Sequence, residues 1–212
     1  MKWAVPKMWE GKTVAILASG PSMSQAVADR VRAARIPTIV INTTVKLAPW
    51  ADVLYAADAG WWSVYKEAAQ AFKGLKVTCD DAAPVHELPE LLVLKESGRV
   101  GFDPDPAYLR TGGNGGYQAI HLAVHAGASR ILLCGYDMRF VNNQVHWHGR
   151  HANPLRDAGE GIFPQWLDWY ATLVEALELR EEKVEVLNCT PGSALRGWPK
   201  VELEEALAGV AA

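Results

Sequence analysis

The fold is decided by one apolar run and the turn after it, Thr13-Val14-Ala15-Ile16-Leu17-Ala18 followed by Ser19-Gly20-Pro21-Ser22. A short continuous apolar run is typical of a strand that is covered on both faces of a sheet. Gly20 lets the backbone turn sharply, Pro21 suits the start of a helix, and Ser22 can present its hydroxyl and N–H where a helix dipole favours phosphate. A plain strand–helix turn with a capping serine would have the same sequence, so the turn alone leaves both interpretations open.

Short β-rich runs and longer helical stretches alternate along the rest of the chain. Further strands are expected at 38–42, 53–58, 76–79, 130–135 and 184–188, and helices at 24–35, 61–72, 116–127, 162–182 and 201–207. Such alternation implies right-handed parallel crossovers. We therefore predict an α/β fold with a doubly wound, mostly parallel sheet and helices on both faces. A chain of 212 residues fits one domain, residues 1–212.

Two stretches lack this regularity. Residues 80–110 contain two Asp-Pro steps and one short apolar run at 91–94, and residues 139–161 are polar. Prolines break long elements, so we expect long connections, both lid-like, with one short strand in the first of them.

Composition excludes several classes of partner. Hydrophobic residues make up 50% of the chain, charged residues 21%, and the formal net charge is −3. Without a Lys/Arg run no nucleic-acid partner is expected, although a nucleotide-sized anion needs only a local positive site. No apolar stretch is long enough for a membrane span, and the N-terminus is unlike a signal peptide.

The cysteines and tryptophans bear on location and assembly. Cys79, Cys134 and Cys189 are odd in number and lie in apolar runs, which favours free core thiols and a cytoplasmic protein. Several of the nine tryptophans neighbour Pro or Gly and could cover a partner surface, which leaves a homo-oligomer open.

Small or polar residues follow the predicted strands. Besides the turn at 19–22, these are Asn42, Asp58 and the run Gly135-Tyr136-Asp137. The carboxyl ends of parallel strands share one edge of a sheet, and ligands bind beyond that edge. The sequence therefore predicts a ligand site there.

A second glycine-rich turn precedes the helix at 116–127 and reads Arg110-Thr111-Gly112-Gly113-Asn114-Gly115-Gly116. Successive backbone amides can form another anion cradle, with Thr111 and Asn114 as polar contributors and Arg110 as a positive charge. A flexible loop is the alternative.

Two strand-end carboxylates could hold a metal ion. Asp58 and Asp137 could together bind Mg²⁺ bridged to nucleotide phosphates. Alternatively, Asp58 caps the helix after it and Asp137 anchors a turn by hydrogen bonds.

Three histidines, His146, His148 and His151, lie close together in a polar stretch. They could exchange protons with a substrate, bind a metal ion, or belong to a solvated loop. No cysteine or carboxylate pair stands nearby at ligand spacing, so we expect no zinc. His121 and His125 share one helix face, as a surface pair or as packed residues.

Three of these motifs together resemble a known fold. The segment 16–23 resembles the Gly-Pro-Ser loop shared by the bacterial sialyltransferases of glycosyltransferase family 42 and the archaeal 6-hydroxymethylpterin diphosphokinase-like proteins. Thr111-Gly112-Gly113, with the helix at 119–127 and the strand at 131–137, is similar to their second block. Asn188 with Ser193-Ala194-Leu195 resembles a late element, so that the resemblance covers roughly residues 11 to 200.

That resemblance implies a Rossmann-like nucleotide site. The ligand would be a nucleotide or sugar nucleotide, with Asn42 near the sugar nucleotide and Asp58 near the donor. Tyr136, Asp137 and the histidines stand where the family places polar aromatic and His residues. This chain departs from the family at Thr111-Gly112, where Ser-Gly is usual, and no residue matches the sialyltransferase base.

The function implied is a nucleotide-dependent transferase, with glycosyl transfer from a CMP-sialic-acid-like donor first. Diphosphoryl transfer from ATP to a small heterocycle is the alternative within enzymes. Because the chain also resembles uncharacterised phage and prophage proteins, a non-catalytic nucleotide-binding or assembly protein is the alternative of another class. An enzyme would need the histidine stretch, residues 146–151, to fold over the Gly-Pro-Ser turn. In a non-catalytic protein the stretch could point away from it.

Overall fold

Seven strands form one central sheet, and all neighbouring strands are parallel. The computed structural model describes residues 3–210. The strands of the sheet are β1 Thr13–Leu17, β2 Thr38–Ile41, β3 Val53–Tyr55, β4 Leu75–Thr78, β5 Leu91–Val93, β8 Arg130–Cys134 and β9 Glu185–Asn188. Their order is β5-β4-β3-β2-β1-β8-β9. The prediction of a doubly wound parallel α/β sheet is confirmed, and its strand order is Rossmann-like.

Helices cover both faces of this sheet. They are α1 Gln25–Ala34, α2 Ala59–Val64, α3 Lys66–Ala71, α4 Gly115–His125, α5 Phe163–Glu178 and α6 Leu203–Ala208. Short 3-10 helices occupy Asn42–Lys46 and Glu160–Ile162, and a small parallel ladder joins β6 Lys95–Glu96 to β7 Tyr108–Leu109.

The alternation of side chains along β1 divides the core in two. Val14 and Ile16 belong to the cluster under α4 and α5, whereas Ala15 and Leu17 belong to the cluster under α1 and α6. All four side chains are fully buried. The continuous apolar run at this position is therefore needed, because each face of the strand meets its own layer of helices.

The strand order reverses between β1 and β8. From β1 the chain adds strands in one direction as far as β5, and α4 then carries it back to the other side of β1. The ends of β1 and β8 diverge into different connections there, which leaves a crevice at a topological switch point. The turn at 19–22 and Gly135-Tyr136-Asp137 lie at this point.

Several predicted boundaries were wrong. The predicted helix at 61–72 is two six-residue helices separated at Tyr65, whose ψ of 29° interrupts the helical path. β3 ends at Tyr55, three residues before the predicted end at Asp58. The helix predicted at 116–127 is α4, which ends at His125 with Ala126 as its C-cap, and Gly127 follows with a φ of +90°.

The two irregular stretches differ from each other. Residues 80–110 contribute the edge strand β5 and the ladder of β6 with β7, so this stretch is partly regular. In the predicted irregular stretch 139–161, residues 139–159 contain no helix or strand and one isolated bridge, between Val141 and Gln144, and the short 3-10 helix Glu160–Ile162 begins before its end.

The three cysteines, Cys79, Cys134 and Cys189, are free and buried, which confirms the prediction of core thiols. Within residues 3–210, no helix combines the length and the apolar character that crossing a membrane requires.

Candidate functional site

A cavity of about 300 Å³ opens at the switch point, and we name it the switch-point cavity. It brings together residues from five connections that are distant in sequence. Of the residues singled out in the sequence, its wall contains Ser19, Gly20, Asn42, Asp58, Gly113, Asn114, Asp137, His146 and His151. The prediction that strand-end residues meet at one edge agrees with this arrangement.

A second space of about 690 Å³, the adjoining cleft, continues from this cavity. Asp58, Gly113, Asn114 and Gly115 border both spaces. The cleft is strongly charged, and its charged residues are Asp58, Asp80, Asp81, Lys95, Glu96 and Arg99. Both volumes fall in the range of small-molecule sites.

The Gly-Pro-Ser turn uses its donors inside the protein. The Ser22 backbone N–H donates to both carboxylate oxygens of Asp137, at 3.2 and 3.3 Å, and the Ser22 hydroxyl donates to Oδ2 at 2.8 Å. The Gly20 N–H donates to the Gly135 carbonyl at 2.9 Å. Helix α1 begins later than the turn, with Ser24 as its N-cap. A carboxylate of the protein therefore stands where the sequence suggested a phosphate, and Pro21 and Ser22 lie outside the cavity wall.

Asp137 is only 2% exposed, and its interactions mark it as the anchor of this turn. Burial raises the pKa of Asp137 above its ordinary value, and the hydrogen bonds from Ser22 oppose that rise. Both oxygens accept hydrogen bonds from Ser22, which agrees with the structural alternative for this residue, and a catalytic role for Asp137 stays a prediction.

The Ser19 hydroxyl is also engaged. Its Oγ lies 3.0 Å from Thr44 Oγ1 and donates to the Ile41 carbonyl at 3.3 Å. Trp147 joins this network, because its indole N–H donates to Thr44 Oγ1 at 3.0 Å and its backbone N–H donates to the Ser19 carbonyl at 3.1 Å. The histidine stretch is thus folded over the Gly-Pro-Ser turn and fastened there by Trp147.

Asn42 is held in an unusual backbone conformation at the end of β2. Its φ is +51°, a region that side chains other than glycine rarely adopt, although asparagine tolerates it best. Its side-chain Oδ1 is buried and has no hydrogen-bond partner. Backbone strain and an unsatisfied acceptor on the wall of a cavity together point to a ligand with a donor group.

Asn114 lies on the wall of the same cavity as the N-cap of α4. Its Oδ1 accepts hydrogen bonds from the Tyr117 N–H and the Tyr170 hydroxyl, both at 3.0 Å. These bonds fix the orientation of the amide and leave Nδ2 buried without a partner. Asn114 therefore offers a donor where Asn42 offers an acceptor.

Packing explains most of the glycines before α4. A Cβ on Gly112 would overlap the Tyr117 ring, one on Gly113 would meet Trp166 and Trp169, and one on Gly116 would lie 2.8 Å from the Tyr170 hydroxyl. These glycines let aromatic side chains approach the backbone, so their presence is not by itself a sign of phosphate.

Asp58 has a free carboxylate. It occupies the N-cap position of α2 but makes no capping hydrogen bond, because Asp80 Oδ2 accepts from the Ala59 N–H at 2.9 Å instead. Burial raises the pKa of Asp58, the nearby Asp80 raises it further, and His151 acts in the opposite direction.

The expected Mg²⁺ site between Asp58 and Asp137 does not fit these contacts. Asp137 is bonded to Ser22, and the charged neighbours of Asp58 are Asp80 and His151. The recorded contacts of Asp58 and of Asp137 involve different groups and give no support to a magnesium ion held between the two carboxylates.

His146, His148 and His151 form a compact cluster beside the cavity. Their ring centroids are 4.5 to 5.1 Å apart. Burial lowers the pKa of His146 and of His148 to about 4 each, and it also lowers the pKa of His151. His121 and His125 are separate from this cluster and packed in the core against Phe102.

Some predicted contributors lie elsewhere. The Arg110 guanidinium donates to the Ser97 carbonyl at 2.6 Å and faces Asp103, away from the cavity wall. Tyr136 is fully buried, and its hydroxyl donates to the Gly116 carbonyl at 3.0 Å, so a ligand has no access to it. Thr111 borders only the adjoining cleft.

Other residues of the cavity were missed. Arg156, Asp157 and Trp166 contribute to its wall, and Arg139, two residues after Asp137, does so too. No sequence motif marks the first three. Asp80, which borders the adjoining cleft, could have been found, since it follows β4 as Asp58 follows β3.

Protein-family models, curated proteins and solved structures gave no significant match to this chain.

Proposed function

We propose that the chain is a nucleotide-dependent transferase that binds its nucleotide in the switch-point cavity. The observation that carries this proposal is the pair of buried, unpartnered amide atoms on the cavity wall, Asn42 Oδ1 and Asn114 Nδ2. A buried polar atom without a partner costs about 1–3 kcal/mol, and a ligand that pairs with it recovers that energy. A nucleotide carries both hydrogen-bond donors and acceptors, so it could pair with both amide atoms.

The charges around the cavity suit a phosphate group. Arg139 and Arg156 are on its wall, and both are exposed enough to turn towards a bound anion. Arginine matches phosphate geometry with two parallel N–H donors. In this account the arginines, and not the Gly-Pro-Ser amides, neutralise the phosphate.

The position of the histidine stretch favours an enzyme over a binding protein. His146 and His151 share the cavity wall with Gly20, as the catalytic alternative requires. Within transferases, glycosyl transfer from a sugar nucleotide with a CMP-sialic-acid-like donor is preferred, on the motif resemblance. The acidic adjoining cleft, beside Asp58, would then receive the acceptor, whose hydroxyl attacks the sugar as the bond to the nucleotide phosphate breaks. Asp58, whose carboxylate makes no capping bond, would take the proton.

Thermal unfolding of the protein with CMP, UDP, GDP, ATP and CMP-sialic acid, each with and without Mg²⁺, tests this proposal. A nucleotide at 100 times its dissociation constant should stabilise the fold by about 2.7 kcal/mol. Stabilisation by cytidine nucleotides alone would support glycosyl transfer, and stabilisation by ATP alone would favour diphosphoryl transfer. If no nucleotide stabilises the protein, the proposal is wrong.

A further inference from the structure

Three imidazoles stand together beside the switch-point cavity. One ring nitrogen from each of His146, His148 and His151 lies within 4.8 Å of the other two. Within residues 3–210, this is the only group of three or more His, Cys, Asp or Glu side chains with such spacing. We propose that these histidines bind one divalent transition-metal ion, with a coordination position open to the cavity.

The distances are close to those of a metal site. Zn–N bonds of about 2.0–2.1 Å in tetrahedral geometry place the ligand nitrogens about 3.3 Å apart. Each ring therefore moves by only about an ångström to reach the ion, and rotation about side-chain torsions supplies such a movement without a change of backbone.

Two of the ring nitrogens are otherwise unexplained. His148 Nε2 and His151 Nδ1 are buried and have no hydrogen-bond partner. Leaving a buried nitrogen unpaired costs about 1–3 kcal/mol, and a metal ion satisfies several such atoms at once. A solvated loop would present these nitrogens to water, and this one does not.

The backbone around the cluster is fastened before any ion arrives. Trp147, between the first two histidines, is bonded to Ser19 and Thr44, and the His151 N–H donates to Asp157 Oδ1 at 2.9 Å. The carboxylate of Asp157 acts electrostatically on all three imidazoles, and it would balance part of the charge of a cation. Fixed ligands and a nearby carboxylate are what metal sites use to hold geometry.

The donor set selects the kind of ion. Three imidazole nitrogens suit Zn²⁺ and its neighbours in the first transition row, whereas Mg²⁺ and Ca²⁺ prefer oxygen. Three protein ligands with a fourth position for water or substrate is the arrangement of catalytic zinc sites. His146 and His151 are both on the cavity wall, so the open position would face the bound ligand.

This inference does not depend on the nucleotide, and it replaces the expectation from the sequence that zinc is absent. That expectation rested on the lack of a cysteine or carboxylate pair at ligand spacing. In the fold the three histidines suffice, because the loop curls so that they face one another. They would then serve as ligands, and proton transfer would be left to Asp58.

Metal binding to the purified full chain tests the proposal. The protein is stripped with EDTA and titrated with Zn²⁺ by calorimetry and with Co²⁺ by visible absorption, whose d–d bands report a tetrahedral site. One equivalent should bind. His148→Ala should weaken binding at least about 100-fold, since losing even an outer partner of a metal site costs roughly 10–100-fold. His86→Ala, at an exposed histidine outside the cluster, should bind as the wild type does.

The proposal is overturned if Zn²⁺ does not bind, if His148→Ala binds it as tightly as the wild type, or if His86→Ala loses the binding. Circular dichroism verifies that the variants are folded. Should His148→Ala unfold, His151→Gln provides the same comparison with a polar side chain of similar reach. Mg²⁺ should neither bind at this site nor compete with Co²⁺.

Discussion

The hydroxyl of Ser22 donates a hydrogen bond of 2.8 Å to Oδ2 of Asp137, across the point where the strand order reverses. This bond joins the turn after β1 to the end of β8, two segments that are separated by more than a hundred residues. It explains the Gly-Pro-Ser sequence by a contact within the protein, without a ligand. It also leaves the recognition of a ligand to the residues around the turn.

Removing the hydroxyl should destabilise the fold. Ser22→Ala deletes a hydrogen bond to a buried charged group, and such bonds contribute about 1.5–3 kcal/mol. Urea unfolding followed by tryptophan fluorescence measures the loss. Ser63→Ala serves as the control, because the Ser63 hydroxyl donates only to the Ala59 carbonyl on an exposed helix surface and should change stability by about 0.5 kcal/mol or less. Equal effects of the two substitutions would refute the role assigned to Ser22.

Gly20 should tolerate no side chain. A Cβ there would overlap the Asp137 carboxylate and the Gly135 carbonyl oxygen, and the backbone oxygen has no room to move. We expect Gly20→Ala to cost at least about 3 kcal/mol, at the upper end for overpacking. Gly161→Ala is the matched control, since nothing lies within 4 Å of its Cβ position. A folded Gly20→Ala protein with wild-type stability would show that the turn has room for a side chain at this position.

Acid should destabilise the protein in part through His121. Burial lowers the pKa of His121 to about 3, with a further lowering by His125. The groups around it are Tyr117 and Phe102 at its ring faces, Asp103, and Arg110, whose backbone N–H donates to His121 Nε2 at 3.4 Å. In the unfolded chain a histidine titrates near 6.5, so between about pH 6.5 and 3 only the unfolded state holds this proton.

The free energy of unfolding should therefore fall as the pH is lowered from about 6.5 to 3. Above that range His121 should not affect it. Urea unfolding in EDTA at a series of pH values should give a shallower acid slope for His121→Gln than for the wild type, by on the order of a few kcal/mol in total. The slope should be unchanged in His86→Gln, whose side chain is 79% exposed. Identical slopes for His121→Gln and the wild type would contradict a neutral, buried His121.

Sequence patterns predicted the strands of the sheet better than the bounds of the helices. The runs at β1 and β8 are apolar without interruption, and only a strand between two helical layers requires that. By contrast, the break between α2 and α3 at Tyr65 has no Pro or Gly to mark it. Tyr65 packs on the Trp61 ring at 5.3 Å and carries Lys46 over its face at 5.1 Å, and both contacts arise only once the chain is folded.

The position of the candidate site was easier to predict than its contacts. The strand-end rule places Asn42 and Asp58 at the edge of the sheet where the switch-point cavity lies, since the rule follows from parallel topology alone. The rule could not tell that the Tyr136 side chain would point into the core, because successive residues at a strand end point to opposite faces. It also could not tell that Asp137 would accept the hydrogen bonds of Ser22, for which a ligand would compete. It also could not place Arg156 and Asp157, which reach the cavity through an irregular loop whose path depends on where Trp147 finds its partner.

The most direct test of the account is the affinity of a stabilising nucleotide, measured by calorimetry, for the wild type, Asn42→Gly and Asn142→Gly. Glycine keeps the positive φ that both asparagines share, 51° in each, so only the side chain is lost. Asn42→Gly should bind nucleotide at least about tenfold more weakly, equivalent to about 1.4 kcal/mol, without becoming less stable, because it removes an unsatisfied acceptor. Asn142→Gly should bind as the wild type does. Equal affinity of Asn42→Gly and the wild type would contradict a nucleotide site in the switch-point cavity.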